Sequence, residues 1–477
     1  MTSILLGRAF QVLLALIMMR IATTLLPPSE FGKISIVLTT LSFFALFLVN
    51  PIGMFINRRL HAWCAAGVSK FYLIRYVGYL LMVSIISAVV LLLLYLVFDI
   101  SFDLPIGWLL LLVCGSLFFN TINQTSIPSL NMLGNSKKFI LLSTTSLAAS
   151  LLFASLLVLF IGPVAQYWLF GLLIGQTIFA LIGTHFLFIK LNENNPPSPL
   201  PIISRQHLKR LFNFAWPVAI AAGLAWMQLQ GYRYVIDDGL GLSELGLFVA
   251  GYGISAGLIA AFESVLTTYF QPRLYRDVSA DDPSQQAKAW QRYATVVIPS
   301  LVLTVALCII LAPELAQILL GKDFQSSKNF IVWGALSEAA RVLMGVYSLI
   351  AHIRMRTDWL IIPNLIGGVL SIVLIELLIP IMGSAGAGFG LVISGAIVVA
   401  IMHFYIGASI AKGIVIRPIL IAGFFSITLW GIYLSLHYYL NARSLLTFGL
   451  ICSVIGGLYL GMQYLFLRPH LRSGVTL

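Results

Sequence analysis

The sequence predicts an all-α polytopic membrane protein with about fourteen transmembrane helices, and three observations carry that prediction. Of its 477 residues, 60% are hydrophobic and only 9% are charged, where a soluble domain carries roughly 25% charged residues. Residues 104–136, 139–189 and 377–411 contain no Lys, Arg, Asp or Glu, and each stretch exceeds the about 20 apolar residues that cross a bilayer. The breaks between apolar runs are short: PPSEFGK, DISFD, NSKK, IGP and RMRTD. Cutting there gives spans at 4–26, 34–57, 73–98, 104–132, 139–161, 166–189, 209–231, 245–270, 293–319, 329–353, 359–381, 386–410, 418–439 and 444–467. Only the Pro-rich 190–208 and the polar 271–292 are longer breaks, which leaves little room for an extramembrane catalytic domain. The first span carries Arg8 and Arg20 and lacks a small-residue cleavage site, so it reads as a retained span rather than a signal peptide. The four cysteines are scattered, with no disulfide framework and no CxxC metal motif.

Orientation follows from the basic residues, because Lys and Arg accumulate in cytoplasmic loops. An inside N-terminus places 20 of the 28 in cytoplasmic loops, leaves Lys33, Arg233, Lys322, Lys328 and Arg443 outside, and puts Arg8, Arg20 and Arg341 within spans. The net charge of +12 then divides into +15 on the cytoplasmic loops, −3 on the outer loops and zero inside the spans. That is a topology signal and not the basic face of a nucleic-acid binder. Both termini are expected in the cytoplasm.

An internal repeat is legible. Ser29-Glu30-Phe31-Gly32 recurs as Ser243-Glu244-Leu245-Gly246, Lys137-Lys138 is echoed by Arg354 and Arg356, and Gly162-Pro163 by Gly383-Ser384. These matches divide the chain into an N-lobe (1–189, spans 1–6), a cytoplasmic linker (190–208), a C-lobe (209–411, spans 7–12) and spans 13–14 with a cytoplasmic tail (412–477). An even number of spans per repeat orients the halves alike, about an axis along the membrane normal.

No Walker A, HExxH, GxSxG or strand-following GxGxxG is present, so no catalytic residue, metal site or cofactor is expected. GSAGAGFG at 383–390 reads as close helix packing. The informative residues are polar groups inside spans, which face a cavity or a partner because a buried charge is costly in hydrocarbon. Arg8, Gln11 and Arg20 interrupt span 1, and Asn50-Pro51 breaks span 2, where proline frees a backbone carbonyl. Asn120, Asn123 and Gln124 form a stripe on span 4 that reads first as interhelical hydrogen bonding. Span 7 ends with Gln228, Gln230 and Arg233 among Trp226, Tyr232 and Tyr234. Glu263 in span 8 is a candidate for cation or proton coupling, with an Arg-paired acid as the alternative. Glu338 and Arg341 stand at i, i+3 and read first as a self-pair. Glu376, His185 and His403 read as interfacial.

Three segments carry a family resemblance. Arg20-Ile-Ala-Thr-Thr-Leu-Leu-Pro-Pro-Ser-Glu-Phe-Gly32 resembles the opening of bacterial polysaccharide transporters. Leu311-Ala-Pro-Glu-Leu-Ala-Gln-Ile-Leu-Leu-Gly-Lys-Asp-Phe324 looks like their outer turn between spans 9 and 10, and Gly383-Ser-Ala-Gly-Ala-Gly388 resembles the start of their span 12. In order and spacing the chain resembles the polysaccharide transporter branch of the MOP (multidrug, oligosaccharidyl-lipid and polysaccharide) superfamily, of the O-antigen flippase kind. The resemblance implies a bacterial inner-membrane carrier of undecaprenyl-diphosphate-linked oligosaccharide, surrounded by membrane lipids, with polysaccharide polymerase or ligase machinery as a candidate partner. It implies that Arg8 and Arg20, with Arg233 or Arg341, meet the diphosphate, that Gln11, Asn50, Gln228 and Gln230 hydrogen-bond sugars, and that Glu263 couples to H+ or Na+. A drug/cation antiporter of the same fold is the first alternative, but spans 1–6 contain arginines and no carboxylate, which favours an anionic substrate. A membrane polymerase or ligase is the other, and the longest outer break, about a dozen residues around Asp237-Asp238, is short for one.

Overall fold

The computed structural model describes residues 2–98, 102–194, 205–278, 282–354, 356–409, 414–440 and 444–472. Among them there is no β-strand, as hydrocarbon demands: a helix satisfies its backbone hydrogen bonds within the segment, whereas an open sheet edge cannot. Twelve helical segments are long and apolar enough to cross a membrane, one of them (Leu211–Asp277) covers two expected spans, and Phe10–Leu25 adds a shorter apolar helix. All fourteen sequence spans thus have a helical counterpart, and the chain is a multi-pass membrane protein.

The described chain forms two compact units, Met1–Tyr234 and Val235–Leu477. The first contains α1 (Thr2–Leu25), α2 (Pro28–Phe44), a π-helical turn (Ala45–Val49), α3 (Asn50–Ala65), α4 (Ser69–Phe98), α5 (Ile106–Met132), α6 (Ser136–Phe160), α7 (Ala165–Asn194) and α8 (Arg205–Gln230), and ends in the first residues of α9 (Tyr232–Asp277). The second continues with α10 (Pro283–Ile310), α11 (Ala312–Leu319), α12 (Lys328–Ile353), α13 (Ile361–Met382), α14 (Ser384–Tyr405), α15 (Ile416–Leu440) and α16 (Leu445–Arg472). In the first unit α5 and α6 both pack along α7, and in the second α12 and α13 both pack along α14. The equivalence extends to single residues. Gly171 and Gly175 of α7 let it lie on the α6 backbone at Ala154 and Ser150. Gly386 and Gly390 of α14, 215 residues on, let it lie on α13 at Leu378 and Ile375. Small residues allow such close approach in membranes, so the duplication read from the turns recurs in the packing.

Packing and repeat do not divide the chain at the same place. Span 7, which opens the second repeat, is α8, and α8 packs against α3, the π turn and α2 of the first unit. The expected linker falls largely outside the described residues, since 195–204 are among those not described. Helix ends differ from the expected ones at three breaks. The outer break expected around Asp237-Asp238 is helical, because α9 already begins at Tyr232. The break at 271–292 is mostly helical: α9 runs to Asp277, and α10 starts at Pro283 behind the Asp282 cap, whose carboxylate accepts from the Ser284 amide at 2.9 Å. A polar segment outside the hydrocarbon can continue a helix, and Asp-Pro is a start signal. The Ser284 amide and hydroxyl also hold the Asp282 carboxyl below the usual range. Span 9, expected as 293–319, ends at Ile310, where Pro313 starts the separate α11. Glu314 is thereby fully buried in the first turn of α11 and accepts from the Tyr433 hydroxyl at 3.0 Å. The unbonded amides of that turn favour a carboxylate there. Within α9, Gly241 has φ 83° and ψ 169°, which breaks the helix in a region that disfavours other residues.

A side chain on Gly171 would meet the Ala154 backbone, which cannot rotate away, whereas Gly423 has open space. Gly171→Val is expected to lower the apparent Tm in detergent by several degrees. Gly423→Ala is expected to leave it unchanged or raise it, since Gly in a helix interior costs about 0.5–1 kcal/mol relative to Ala.

Candidate functional site

Within the first unit, α1, α5, α6 and α7 line a cavity of about 490 Å3, in the about 300–1,000 Å3 range of small-molecule sites. Its wall carries carboxamides and hydroxyls, among them Asn120, Asn123, Gln124, Ser146 and Gln176, beside apolar Met18, Ile127, Phe139 and Leu172. Gln11 joins from α1 and donates through Nε2 to Ser143 Oγ at 2.7 Å. Asn123 Nδ2 donates to Ser146 Oγ at 2.9 Å, and Gln124 Nε2 to Asn120 Oδ1 at 3.2 Å. The span 4 stripe therefore does bond between helices, through Asn123, and it also faces a cavity. Gln176 Oε1 is buried without a hydrogen-bond partner. Among the described residues no charged side chain lines this space.

Helix geometry separates the α1 arginine from that cavity. Gln11 and Met18 are seven residues apart and share a face at 3.6 residues per turn. Gly7 lies close to the same face, where an added Cβ would come 2.8 Å from Ile140 of α6. Arg20, two residues beyond Met18, is rotated by about 200° from it and does not line the cavity. The Arg20 carbonyl accepts from the Thr24 hydroxyl at 2.7 Å. The side chain of Arg8 lies outside the described residues.

A second cluster forms where the end of α8 and the first residues of α9 meet α2. Arg233 donates through Nη1 to Thr39 Oγ1 at 2.8 Å and through Nε to the Tyr232 hydroxyl at 3.3 Å. The Tyr234 and Thr40 hydroxyls are 2.8 Å apart, and Trp226 Nε1 donates to Ser42 Oγ at 2.9 Å. The aromatic residues at the end of span 7 thus have specific partners on α2. Gln228 is buried, and Gln230 Oε1 is buried without a hydrogen-bond partner. At the Asn50-Pro51 break, the chain passes through the π turn, and the Leu48 carbonyl accepts from the Tyr79 hydroxyl of α4 at 2.7 Å. Asn50 itself is exposed and does not line the α5–α6 cavity.

In the second unit three intramembrane charges meet. Arg341 of α12 donates through Nη2 to Glu263 Oε2 of α9 at 2.7 Å and through Nε to Glu338 Oε2 at 2.5 Å. Tyr252 donates to Glu338 Oε1 at 2.8 Å. The expected self-pair is present, and Glu263 joins it. Glu338 is buried, while Glu263 and Arg341 each keep 26% of the side chain exposed. A phosphate reaching this guanidinium has to displace a carboxylate. Two acids and one base sum to −1, so the cluster is better suited to an added proton or cation than to an anion.

Sequence reasoning missed Asn131, Ser143, Ser146 and Gln176 as cavity residues, since isolated Ser and Gln in apolar helices are ordinary. Tyr252 was legible: it lies eleven residues before Glu263, three turns along the same helix face.

Fold and charge placement define a polytopic carrier-like protein built from two repeated helical units with polar interiors. The chain matches the family described as polysaccharide biosynthesis protein over residues 21–329, about two thirds of its length, and it belongs to that family. Among solved structures, the lipid II flippase MurJ in an inward closed conformation aligns with a TM-score of 0.64 at 14% identity, covering 98% of this chain and 99% of that one. That coverage necessarily includes most of α15 and α16. A multidrug resistance MATE family transporter of the MOP superfamily aligns in its inward-facing form with a TM-score of 0.56, 16% identity, and 84% and 95% coverage. An outward-facing MATE structure gives 0.54, 13%, 85% and 93%. The shared fold is that of the MOP superfamily. No curated protein matches in sequence.

Removing Arg341 leaves two acids facing each other. Breaking a buried pair costs about 3–5 kcal/mol, and the exposure of Arg341 places it at the low end. Arg341→Met is expected to lower the apparent Tm in detergent, and Glu338→Gln added to Arg341→Met to recover part of the loss. Additive effects in this double-mutant cycle would contradict the cluster.

Proposed function

We propose that the protein is a flippase that moves undecaprenyl-diphosphate-linked oligosaccharide repeat units, of O-antigen or another surface polysaccharide, across the bacterial inner membrane by alternating access. One observation carries the reading: a polysaccharide biosynthesis family member has arginines and no carboxylate within its first six spans. A diphosphate and its sugars cannot enter hydrocarbon unaided. Arginine offers a charge that persists at any cellular pH and a planar donor pair matching phosphate oxygens. The likeness to a lipid II flippase along nearly the whole chain supports the same reading, since that printed substrate is also lipid-linked. Arg8 and Arg20 are the diphosphate contacts in this account, and Arg233 is a further candidate. The Glu263 cluster is where H+ or Na+ enters the cycle. Both termini are cytoplasmic in this account, which the Lys and Arg excess of one set of loops supports, and polymerase or ligase machinery receives the product. No catalytic step is part of the cycle.

A drug/cation antiporter is the second reading, favoured by the net negative cluster of the second unit and by the MATE-like fold. Deleting the gene separates the two. The flippase reading expects lipid-linked repeat units to accumulate on the inner leaflet, and Arg20→Ala to cut surface polysaccharide at least tenfold at unchanged protein level. A charge-assisted contact of about 1.5–3 kcal/mol accounts for that factor. Normal polysaccharide with altered drug tolerance in the deletion strain would sink it.

A further inference from the structure

The cavity between α1, α5, α6 and α7 has a composition that selects one part of a lipid-linked saccharide and excludes another. Among the described residues sixteen line it, and none of these is Lys, Arg, His, Asp or Glu. A phosphate or a uronate placed there would be stripped of water with no counter-charge, which strongly disfavours the ionised form. A neutral ligand without hydroxyls or amides would be excluded for the opposite reason. It would leave unpaired the wall atoms that the wall itself does not satisfy, and a buried polar atom is expensive to leave so. The wall shows that need directly, because Gln176 Oε1 is buried with no hydrogen-bond partner.

We infer that this cavity binds an uncharged, hydroxyl- and amide-bearing saccharide, the sugar portion of the transported molecule, while the diphosphate is held elsewhere. The inference rests on the flippase reading for the identity of the cargo and on the cavity for its chemistry. Three features fit such a ligand. Carboxamides both donate and accept, which suits hydroxyls and acetamido groups alike. Phe139, Met18 and Leu172 supply apolar patches for the C–H faces of sugar rings. The polar wall follows α5 from Asn120 to Asn131, a rise of about 16 Å, so it can track an extended chain of rings. The two faces of α1 then divide the cargo: Gln11 and Met18 face the saccharide cavity, and Arg20 lies away from it. Of the glutamines and asparagine expected at the sugar, Gln11 alone lines this space, and Asn123 and Gln176 are added to it.

The test uses purified full-length protein in nanodiscs and isothermal titration with N,N′-diacetylchitobiose, an uncharged acetamido disaccharide, and with its C6′-oxidised uronate, which differs only in one carboxylate. Diacetylchitobiose is expected to bind and the uronate to bind at least tenfold more weakly. Gln176→Met is expected to weaken diacetylchitobiose about threefold to tenfold, the worth of one neutral hydrogen bond. Because Gln176 Oε1 has no internal partner, the same variant is expected to keep or raise the apparent Tm, a readout that a structural role would move the other way. Asn123→Leu is a second variant, with Tm measured alongside. No binding of diacetylchitobiose, equal binding of the two sugars, or unchanged binding in Gln176→Met would each overturn the inference. The flippase reading fails separately: sugar binding without lipid-linked intermediates in the deletion strain removes that reading and leaves the saccharide site. Accumulated intermediates without sugar binding remove the site alone.

Discussion

A charged side chain at the centre of a bilayer costs at least about 2.5–3.5 kcal/mol even on the most lenient scale, and that cost governs where this protein places polarity. The second unit meets it by mutual satisfaction. Arg341 is held by Glu263 and Glu338, with Tyr252 completing the contacts of Glu338. The first unit meets it differently, with a cavity lined by neutral amides and hydroxyls and with the α1 arginines kept off the cavity wall or outside the described contacts. Polar groups on neither pattern are engaged one by one, as Tyr79 engages the carbonyl at the Pro51 kink and Arg233 engages Thr39.

The same cost explains what was legible in the sequence. Spans can be counted because charges are excluded from them, and the duplication shows in turns whose residues are constrained by backbone shape and orientation. The Gly171/Gly175 and Gly386/Gly390 contacts fall at nearly the same offset as those turns. Helix ends were less legible. Outside hydrocarbon nothing in hydropathy stops a helix, so α9 and α10 run into a segment that reads as a loop, and Pro313 cuts a span that hydropathy joins. The Arg341–Glu338 pair could be read because its spacing is local, and Glu263 could be flagged but not placed, because its partner lies 78 residues away. The cavity was least visible. Ser143, Ser146 and Gln176 gain meaning only when four helices bring their side chains around one space.

The two units therefore differ in how they hold polarity: the described lining of the first unit's cavity is uncharged, and the second unit carries a cluster of two acids and one base. In the flippase proposed above, such a difference lets the anionic cargo and the coupling cation occupy separate sites. Keeping them on separate helices of a duplicated fold lets each ligand bias the same conformational equilibrium.

The most direct measurement is leaflet exchange in proteoliposomes that contain the full-length protein and a fluorescent undecaprenyl-diphosphate-linked saccharide, with dithionite destroying the fluorophore in the accessible leaflet. The account predicts that the protein abolishes the dithionite-protected fraction and that Arg20→Ala restores it. A protected fraction unchanged by the protein, in vesicles that expel a cationic dye, would contradict it.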